Sequence, residues 1–245
     1  MTLRPLSPTP RSTPHRTKHR TVTDRATLYD VLDDGLICHL GVVLDGTPVV
    51  LPTGYGRDGE TLYLHGSTGA RSLLAAGRGV AVCVTVTLVD GIVYARSLMH
   101  HSMNYRSAVV HGTARVVTDR TDKLRALEVI TEHLAPGSWG YAREVNAKEF
   151  ASVAVIALEL SEASVKIRAG GPGDDKEDIE SSAMWAGELP LRQVFGEPVA
   201  SGDLRGEIPV PHHVAQRAQS LTAQSLTAPV SGSRRCERMV RGPNR

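Results

Sequence analysis

Two short segments of the sequence carry residue types that suit the binding of a phosphate group. The first, HGSTGARS at positions 65–72, places two glycines and two hydroxyl side chains just before Arg71. The second, SMNYRSAVVHG at 102–112, places Arg106 directly before Ser107. An arginine fork matches phosphate geometry, and backbone N–H groups at the start of a helix attract anions. Either segment alone indicates only an anion site, and the first, taken alone, is more typical of a plain strand-to-helix turn with an exposed arginine.

The elements that must hold these segments are predicted to be mainly strands. Short apolar runs alternate with Asp-Gly dipeptides at 45–46, 58–59 and 90–91, and Asp-Gly is favoured in tight hairpin turns. This pattern predicts an antiparallel meander, because parallel strands need longer crossover connections. The predicted strands are 36–44, 47–53, 61–65, 80–88, 92–97, 107–117 and a last one at 153–167.

Helices are predicted at three places around these strands. Residues 21–35 begin with Thr and Asp as candidate caps and end at Gly35, and residues 121–137 repeat apolar side chains on one side. A short helix follows the glycine loop within 66–77. Many strands with few helices predict an α+β fold that is mainly β, in which an antiparallel β-barrel, closed or partly open, has helices packed outside.

Composition changes along the chain and predicts four parts. Residues 1–20 are rich in Pro, Thr and Arg, so we expect a disordered basic tail. Residues 21–168 form the barrel domain. Residues 169–213 read as an acidic, Gly-rich linker and an ordered extension that packs on the barrel. Residues 214–245 repeat AQSLT and end in a basic run, which predicts a disordered low-complexity tail.

The composition also excludes several classes of function. The three cysteines form no Cys-x-x-Cys pair, and no run of apolar residues is long enough for a membrane helix, so we expect a cytoplasmic protein without a membrane partner. The net charge of +2 is concentrated in tails that lack base-stacking aromatics, so nucleic acid is not an expected partner. Hydrolase elbows, P-loops and dinucleotide fingerprints are absent from the sequence.

Three segments occur together in the order and spacing of a known family. They are residues 24–56, LYLHGSTGARS and MNYRSAVVHGTA. In these segments the chain resembles the pyridoxamine 5'-phosphate oxidase-like split-barrel flavoproteins, in the branch that includes nitroimidazole reductases. The resemblance covers residues from about 20 to about 168, and it implies an antiparallel split β-barrel.

The resemblance implies FMN bound in a homodimer, together with a small-molecule electron donor and a small-molecule acceptor. Because an FMN can take hydride from a reduced nicotinamide or deazaflavin, the expected activity is that of an FMN-dependent oxidoreductase. His65 matches a histidine close to the flavin and is the candidate catalytic residue. The candidate cofactor-binding residues are Pro52, Thr53, Gly66, Ser67, Arg71, Tyr105, Arg106 and Ser107.

Other interpretations stay open at this point. The C-terminal substrate clamp of the true oxidases is not found, so oxidation of vitamin B6 is not expected. The same flavin site could serve a carrier or a sensor without turnover. Metal or haem ligation by a convergence of His65, His100, His101 and His111 is a further, less favoured alternative. Adjacent His100 and His101 point to opposite faces of an extended chain with no carboxylate nearby in sequence, so no metal site is predicted.

Overall fold

The structure is a computed structural model that describes residues 5, 6, 9–13, 16 and 18–227. The strands of this part are β1 (Thr21–Val22), β2 (Cys38–Leu44), β3 (Thr47–Thr53), β4 (Tyr55–Asp58), β5 (Thr61–Ser67), β6 (Arg78–Tyr94), β7 (Ser102–Val116), β8 (Val153–Glu159), β9 (Glu162–Arg168) and β10 (Gly187–Pro190). The helices are α1 (Arg25–Asp34), α2 (Arg71–Ala76), α3 (Arg120–Leu134), α4 (Ala147–Ser152), α5 (Lys176–Ser181) and α6 (His212–Thr227), with 3-10 helices at Lys18–Arg20 and Leu98–His100.

The described residues divide into two compact units. One lies within Met1–Thr87 and Ser107–Val165, and the other within Leu88–Arg106 and Lys166–Arg245. In the first unit the strands follow the order β3-β2-β6-β7-β8-β5-β4, and the pairs β2–β3, β2–β6, β4–β5, β5–β8 and β7–β8 are antiparallel. In the second unit β10 pairs antiparallel with the end of β6. The predicted α+β class with an antiparallel sheet is therefore confirmed.

The core of the first unit lies between the sheet and its helices. Alternation along the strands decides which side chains enter it, because successive side chains point to opposite faces. On β7 the buried residues Ala108, Val110 and Ala114 share one face. The largest fully buried side chains include Leu28 and Leu32 of α1 together with Leu62, Leu64, Val84, Val86, Ile156 and Leu158 of the strands.

Gly35 ends α1 for a packing reason. Its φ of −78° is accessible to any residue, so conformational freedom does not require glycine here. A Cβ atom would instead lie 2.5 Å from Val86 Cγ1 and 2.8 Å from Tyr55 Oη. Tyr55 Oη donates to the carbonyl oxygens of Leu32 and Gly35, so a larger residue would push apart the contact that seats the helix on the sheet.

The first two Asp-Gly dipeptides lie at hairpin turns, and the third does not. Asp45 and Gly46 adopt φ values of 49° and 77° between β2 and β3, the conformation of a tight hairpin. Asp90 and Gly91 lie inside β6, so the predicted turn at 90–91 is wrong. A Cβ on Gly91 would lie 2.9 Å from the carbonyl oxygen of Leu189, because β10 pairs with this part of β6.

The predicted last strand also differs from the structure. Residues 153–167 form two strands, β8 and β9, separated by Leu160 and Ser161. Helix α4 precedes them and begins with a capping box, in which Asn146 accepts from the backbone N–H of Glu149 and the Glu149 side chain accepts from the backbone of Asn146. This cap fixes the entry of the chain into β8.

Parts of the two tails that the sequence analysis predicts to be disordered make contacts or form a helix in the structure, and the division of the chain into four parts stays a prediction. Leu6 is buried and its N–H donates to Thr23 O, while Arg11 forms an ion pair with Glu162. Near the other end, residues 212–227 form α6, where the sequence analysis predicts no structure beyond His213. Residues 228–245 of that predicted tail lie outside the described residues.

Two further features of the described residues are the burial of Cys38 and the lack of a membrane-spanning helix. Cys38 is buried, and burial raises the pKa of its thiol to about 12, so the residue behaves as a small apolar side chain. Among the described residues no helix has both the length and the apolar character needed to cross a membrane.

Candidate functional site

The predicted phosphate segment at 65–72 forms the end of β5, a turn and the start of α2. We call residues 66–70 the β5–α2 turn. Its conformation is fixed by three hydrogen bonds: Gly69 N donates to Ser67 Oγ at 3.1 Å, Ala70 N donates to Ser67 O at 2.9 Å, and Thr68 N donates to Ser152 O at 2.9 Å. A Cβ on Gly66 would lie 3.3 Å from Leu73 Cδ2, so glycine lets the helix approach the strand. The structure thus confirms the turn and its helix, and their role in phosphate binding stays a prediction.

Arg71 stands at the exposed end of this turn. Its side chain is 80% exposed and donates to Asp45 Oδ2 at 2.8 Å, and the Asp45 side chain is 84% exposed. Such solvent-exposed pairs contribute about 0–1 kcal/mol, because water competes for both partners. The residue before the helix, Ala70, provides no side-chain cap. Arg71 is therefore held loosely and can exchange its carboxylate partner for another anion.

Arg106, the other predicted phosphate ligand, has a different environment. Its Nε and Nη2 atoms donate to the two carboxylate oxygens of Asp90 at 3.0 and 2.9 Å. The side chains are only 21% and 12% exposed. A bidentate pair shielded from water uses one full edge of the guanidinium fork. Its position also differs from the prediction, because β7 begins at Ser102 and Arg106 lies inside the strand.

The remaining predicted cofactor residues are distributed over both units. Ser107 belongs to the first unit with Ser67 and Arg71, whereas Tyr105 belongs to the second unit with Arg106. Tyr105 and Ser107 are half-buried.

Pro52 and Thr53 end β3 in the first unit, where the sequence analysis places the flavin ring. Pro52 is exposed and lies opposite His39 of β2 in the strand register. Thr53 is half-buried, and its hydroxyl donates to Gly54 O at 3.3 Å. A ring lying along this strand end would therefore meet one exposed side chain and one side chain that already has an acceptor.

His65, the predicted catalytic residue, lies on β5 opposite Val155 of β8. The ring is half-buried, and its Nδ1 atom is buried without a hydrogen-bond partner among the described residues. Burial lowers the pKa of His65, because a charged imidazolium loses its hydration there. A neutral imidazole with an unused buried nitrogen is suited to hydrogen-bond a bound group or to ligate a metal. The structure therefore supports a ligand-binding role for His65 more directly than a proton-transfer role.

Two other histidines have ring nitrogens that are already in use. Ala95 N donates to His101 Nδ1 at 3.1 Å, and His133 Nε2 lies 2.6 Å from Gly35 O. An Nδ1 atom that accepts a hydrogen bond leaves the proton of the neutral ring on Nε2, so His101 is not arranged as a metal ligand through that atom. His65 therefore differs from His101 and His133 in having a buried ring nitrogen without a hydrogen-bond partner among the described residues.

Sequence reasoning missed the carboxylates that partner the arginines. The sequence analysis places Asp90 in a turn and Asp174 in an acidic, Gly-rich linker. Asp174 accepts from the backbone N–H of Arg96 at 2.9 Å and from its Nη1 at 2.8 Å. Asp174 lies 78 residues along the chain from Arg96, and no local pattern pairs the two.

Comparison with known proteins identifies the family. Residues 24–167 match the model of the family described as pyridoxamine 5'-phosphate oxidase. Among proteins with curated functions, none matches the chain.

Two solved structures are similar to this chain over more residues than the family range 24–167. The flavocytochrome Anf3 from Azotobacter vinelandii is 34% identical with a TM-score of 0.82, over 87% of this chain and 99% of that chain. The FAD and heme binding protein from Mycobacterium smegmatis is 36% identical with a TM-score of 0.77, over 81% of this chain and 97% of that chain.

The family match covers more than half of the chain, and both similar structures are more than 30% identical over more than two thirds of it. The antiparallel sheet with helices agrees with the fold that the sequence motifs imply. The chain therefore belongs to the pyridoxamine 5'-phosphate oxidase family of α+β split barrels.

Proposed function

We propose that the protein binds a flavin and a haem and passes electrons from a reduced nicotinamide or deazaflavin to a small acceptor. The observation that carries this proposal is the 36% identity to a protein that binds FAD and haem, over 97% of that chain. The flavocytochrome Anf3 supports it independently at 34% identity. Both similarities cover more of this chain than residues 24–167, so the likeness includes part of the extension beyond the family range.

A bound flavin supplies hydride acceptance in a two-electron step, and a bound haem iron supplies one-electron transfer. For the flavin we propose that the β5–α2 turn and Arg71 hold a phosphate, since this exposed cation has only a weak competing partner. The motifs predict FMN, but the relative with the higher identity binds FAD, and we propose FAD on that ground. In this proposal Arg106 keeps Asp90 as its partner. It stabilises the neighbouring strands β6 and β7 and is not the main ligand of the phosphate.

For the haem we propose His65 as an iron ligand. The fit rests on its buried Nδ1 atom, which has no hydrogen-bond partner among the described residues, and on the neutral state that burial favours. Iron binds the neutral imidazole, because the protonated ring offers no lone pair. His65 changes in this proposal from the catalytic residue of the motif to a cofactor ligand.

We propose that a second copy of the chain covers the outward face of β2 and β3. Val43 and Val50 are 58% and 65% exposed there, and Gly41 lies opposite Val50 in the strand register. An exposed apolar sheet face without charged side chains is typical of a surface that pairs with another chain. Val50→Glu should convert a dimer into a monomer in light scattering after size exclusion, and an unchanged mass would contradict this arrangement.

The visible spectrum of the purified protein is the first test. We expect a flavin band together with a Soret band, and flavin released by denaturation should co-migrate with FAD in chromatography. Release of FMN would overturn the choice of FAD, and a protein that takes up neither cofactor would overturn the whole proposal. Anaerobic addition of NADH, NADPH or a reduced deazaflavin then separates an enzyme from a carrier or sensor, because only turnover bleaches the flavin and passes electrons onward.

Replacing His65 tests the haem ligand separately from the flavin. His65→Ala should lose the Soret band and keep the flavin, and His101→Ala is the matched control because the ring nitrogen of His101 is already engaged. A full Soret band in His65→Ala together with its loss in another histidine variant would remove His65 from the haem site.

A further inference from the structure

A second group of ligand-type side chains lies in the second unit, apart from the residues discussed for the flavin and haem. His100, Asp175 and Asp178 each offer one nitrogen or oxygen atom, and these three atoms lie within 4.8 Å of one another. We call these three residues the His100 site. His100 ends the 3-10 helix that leads into β7, and the two aspartates belong to the start of α5.

The Asp175 carboxylate is available because it does not cap the helix that follows it. Asp175 occupies the N-cap position of α5, where an aspartate normally accepts a backbone N–H of the first turn. Its side chain makes no such bond, and its Oδ2 atom lies 3.9 Å from His100 Nε2 instead. Asp178 lies three residues later, which places it on the same side of the helix. Asp175 therefore faces the imidazole rather than capping α5, and an Asp178 oxygen lies within 4.8 Å of both.

The other ring nitrogen of His100 lies near a third, buried carboxylate. His100 Nδ1 is buried without a hydrogen-bond partner among the described residues, and it lies 3.9 Å from Asp174 Oδ1. Asp174 is 1% exposed and is fixed by its two hydrogen bonds from Arg96. Histidines that ligate metals through Nε2 commonly direct Nδ1–H to such a carboxylate, which sets the tautomer. Asp174 occupies the position of this supporting group.

A polar network holds the chain just before the site. Arg168 donates from Nη1 to Gly170 O at 2.8 Å and from Nη2 to Gly171 O at 2.9 Å. It also donates to Asn104, whose Nδ2 donates to Glu188 at 2.6 Å. The loop that delivers Asp174 and Asp175 is thus fixed by hydrogen bonds to its backbone, so little ordering would be needed when a ligand binds.

We propose that the His100 site binds a divalent first-row transition metal ion such as Zn²⁺ or Co²⁺. One imidazole nitrogen and two carboxylate oxygens suit these ions, whereas Ca²⁺ and Mg²⁺ prefer oxygen ligands alone. Two negative carboxylates balance the ion charge, and water completes the coordination. The ion would tie the turn before β7 to α5 within the second unit, and this role is independent of flavin and haem.

Cobalt titration tests the proposal directly. The full chain is dialysed against EDTA and titrated with Co²⁺, whose visible d–d bands report nitrogen and oxygen ligands. We expect saturation at one ion per chain and a thermal midpoint that rises with the metal. His100→Ala and Asp178→Asn should each weaken binding at least about tenfold, and Asp174→Asn should weaken it about 10–100-fold as a positioning residue.

Matched variants decide where the ion binds. His101→Ala leaves the three ligands in place and should bind Co²⁺ like the unchanged protein. His212→Ala with His213→Ala tests the adjacent histidines at the start of α6, and binding lost only in that variant would overturn the proposal. Equal affinity in the unchanged protein and in His100→Ala with Asp178→Asn would also overturn it, as would the absence of any metal-dependent spectrum.

Discussion

Arg71 and Arg106 are the same residue type with the same predicted role, yet their surroundings differ. Arg71 lies in water beside an equally exposed Asp45, whereas Arg106 forms a bidentate pair with an Asp90 that is only 12% exposed. A shielded carboxylate left without its partner is costly, but an exposed one is readily hydrated. Arg106 is therefore committed to the fold, and Arg71 is available to a ligand. Burial of the neighbouring carboxylate, more than the arginine itself, distinguishes the two.

Arg106→Ala should have the largest effect and should act on stability. Removal of the guanidinium leaves Asp90 as a buried, unpaired charge, which we expect to cost about 3 kcal/mol in free energy of unfolding. Urea denaturation followed by circular dichroism measures it. Combining Arg106→Ala with Asp90→Ala should recover part of the loss, since the unpaired charge is then absent. Unchanged stability together with weakened flavin binding would reverse the assigned roles of the two arginines.

Arg71→Ala should act on flavin affinity instead. Loss of one charged hydrogen bond to phosphate costs about 1.5–3 kcal/mol, at least about tenfold in Kd. The free energy of unfolding should change by less than about 0.5 kcal/mol, because the side chain is exposed. Fluorescence titration of the flavin-free protein gives the affinity, and Arg115→Ala, at an exposed position on β7, is the matched control. Equal affinity in the two variants would remove Arg71 from the site.

Asp45→Asn sharpens the same comparison with a smaller effect. Neutralising this carboxylate removes the competing partner of Arg71, so flavin should bind more tightly by about 0.5 kcal/mol or less. The gain should shrink as salt is added, because the interaction is exposed to solvent. Weaker binding in Asp45→Asn would show that the carboxylate positions Arg71 for the flavin rather than competing with it.

Glu149 belongs to the capping box of α4, and Ser152 at the end of α4 accepts a hydrogen bond from the β5–α2 turn. Of the four substitutions, Glu149→Gln should change the free energy of unfolding at neutral pH the least. The Arg143 guanidinium and the backbone N–H of Asn146 lower the pKa of Glu149 from 4.5 to about 2. A depressed carboxyl pKa contributes stability above about pH 4.5 that is lost as the pH falls through about 2. Acid denaturation of Glu149→Gln should lack this component, and identical curves for both proteins would contradict it.

The Asp-Gly dipeptides show which parts of the fold the sequence could predict. At Asp45-Gly46 the local conformational preference decides the structure, so the hairpin is predicted correctly. At Asp90-Gly91 the same preference is overridden by two partners distant in sequence, Pro190 of β10 opposite Gly91 and Arg106 beside Asp90. Periodicity records which residues are buried locally. It carries no information about which distant strand will pair.

In the candidate site, too, local features could be predicted from the sequence and contacts between distant residues could not. The β5–α2 turn could be located because glycines and hydroxyl residues before a helix form a local pattern. The partners Asp45, Asp90 and Asp174 could not be assigned, since each meets its arginine only in the folded chain. The unpaired Nδ1 atom of His65 is also a property of packing, and sequence alone supplies only the residue type.

Alkylation of the buried Cys38 thiol can be used to measure transient opening of the core. With a pKa of about 12 and no exposed surface, this thiol can be alkylated only when the core around α1 and β2 separates. Half-buried Cys83 provides an internal reference in the same unit. Mass spectrometry of pulse-alkylated protein could then time how often the core opens, with or without bound ligands, at a single sulfur atom.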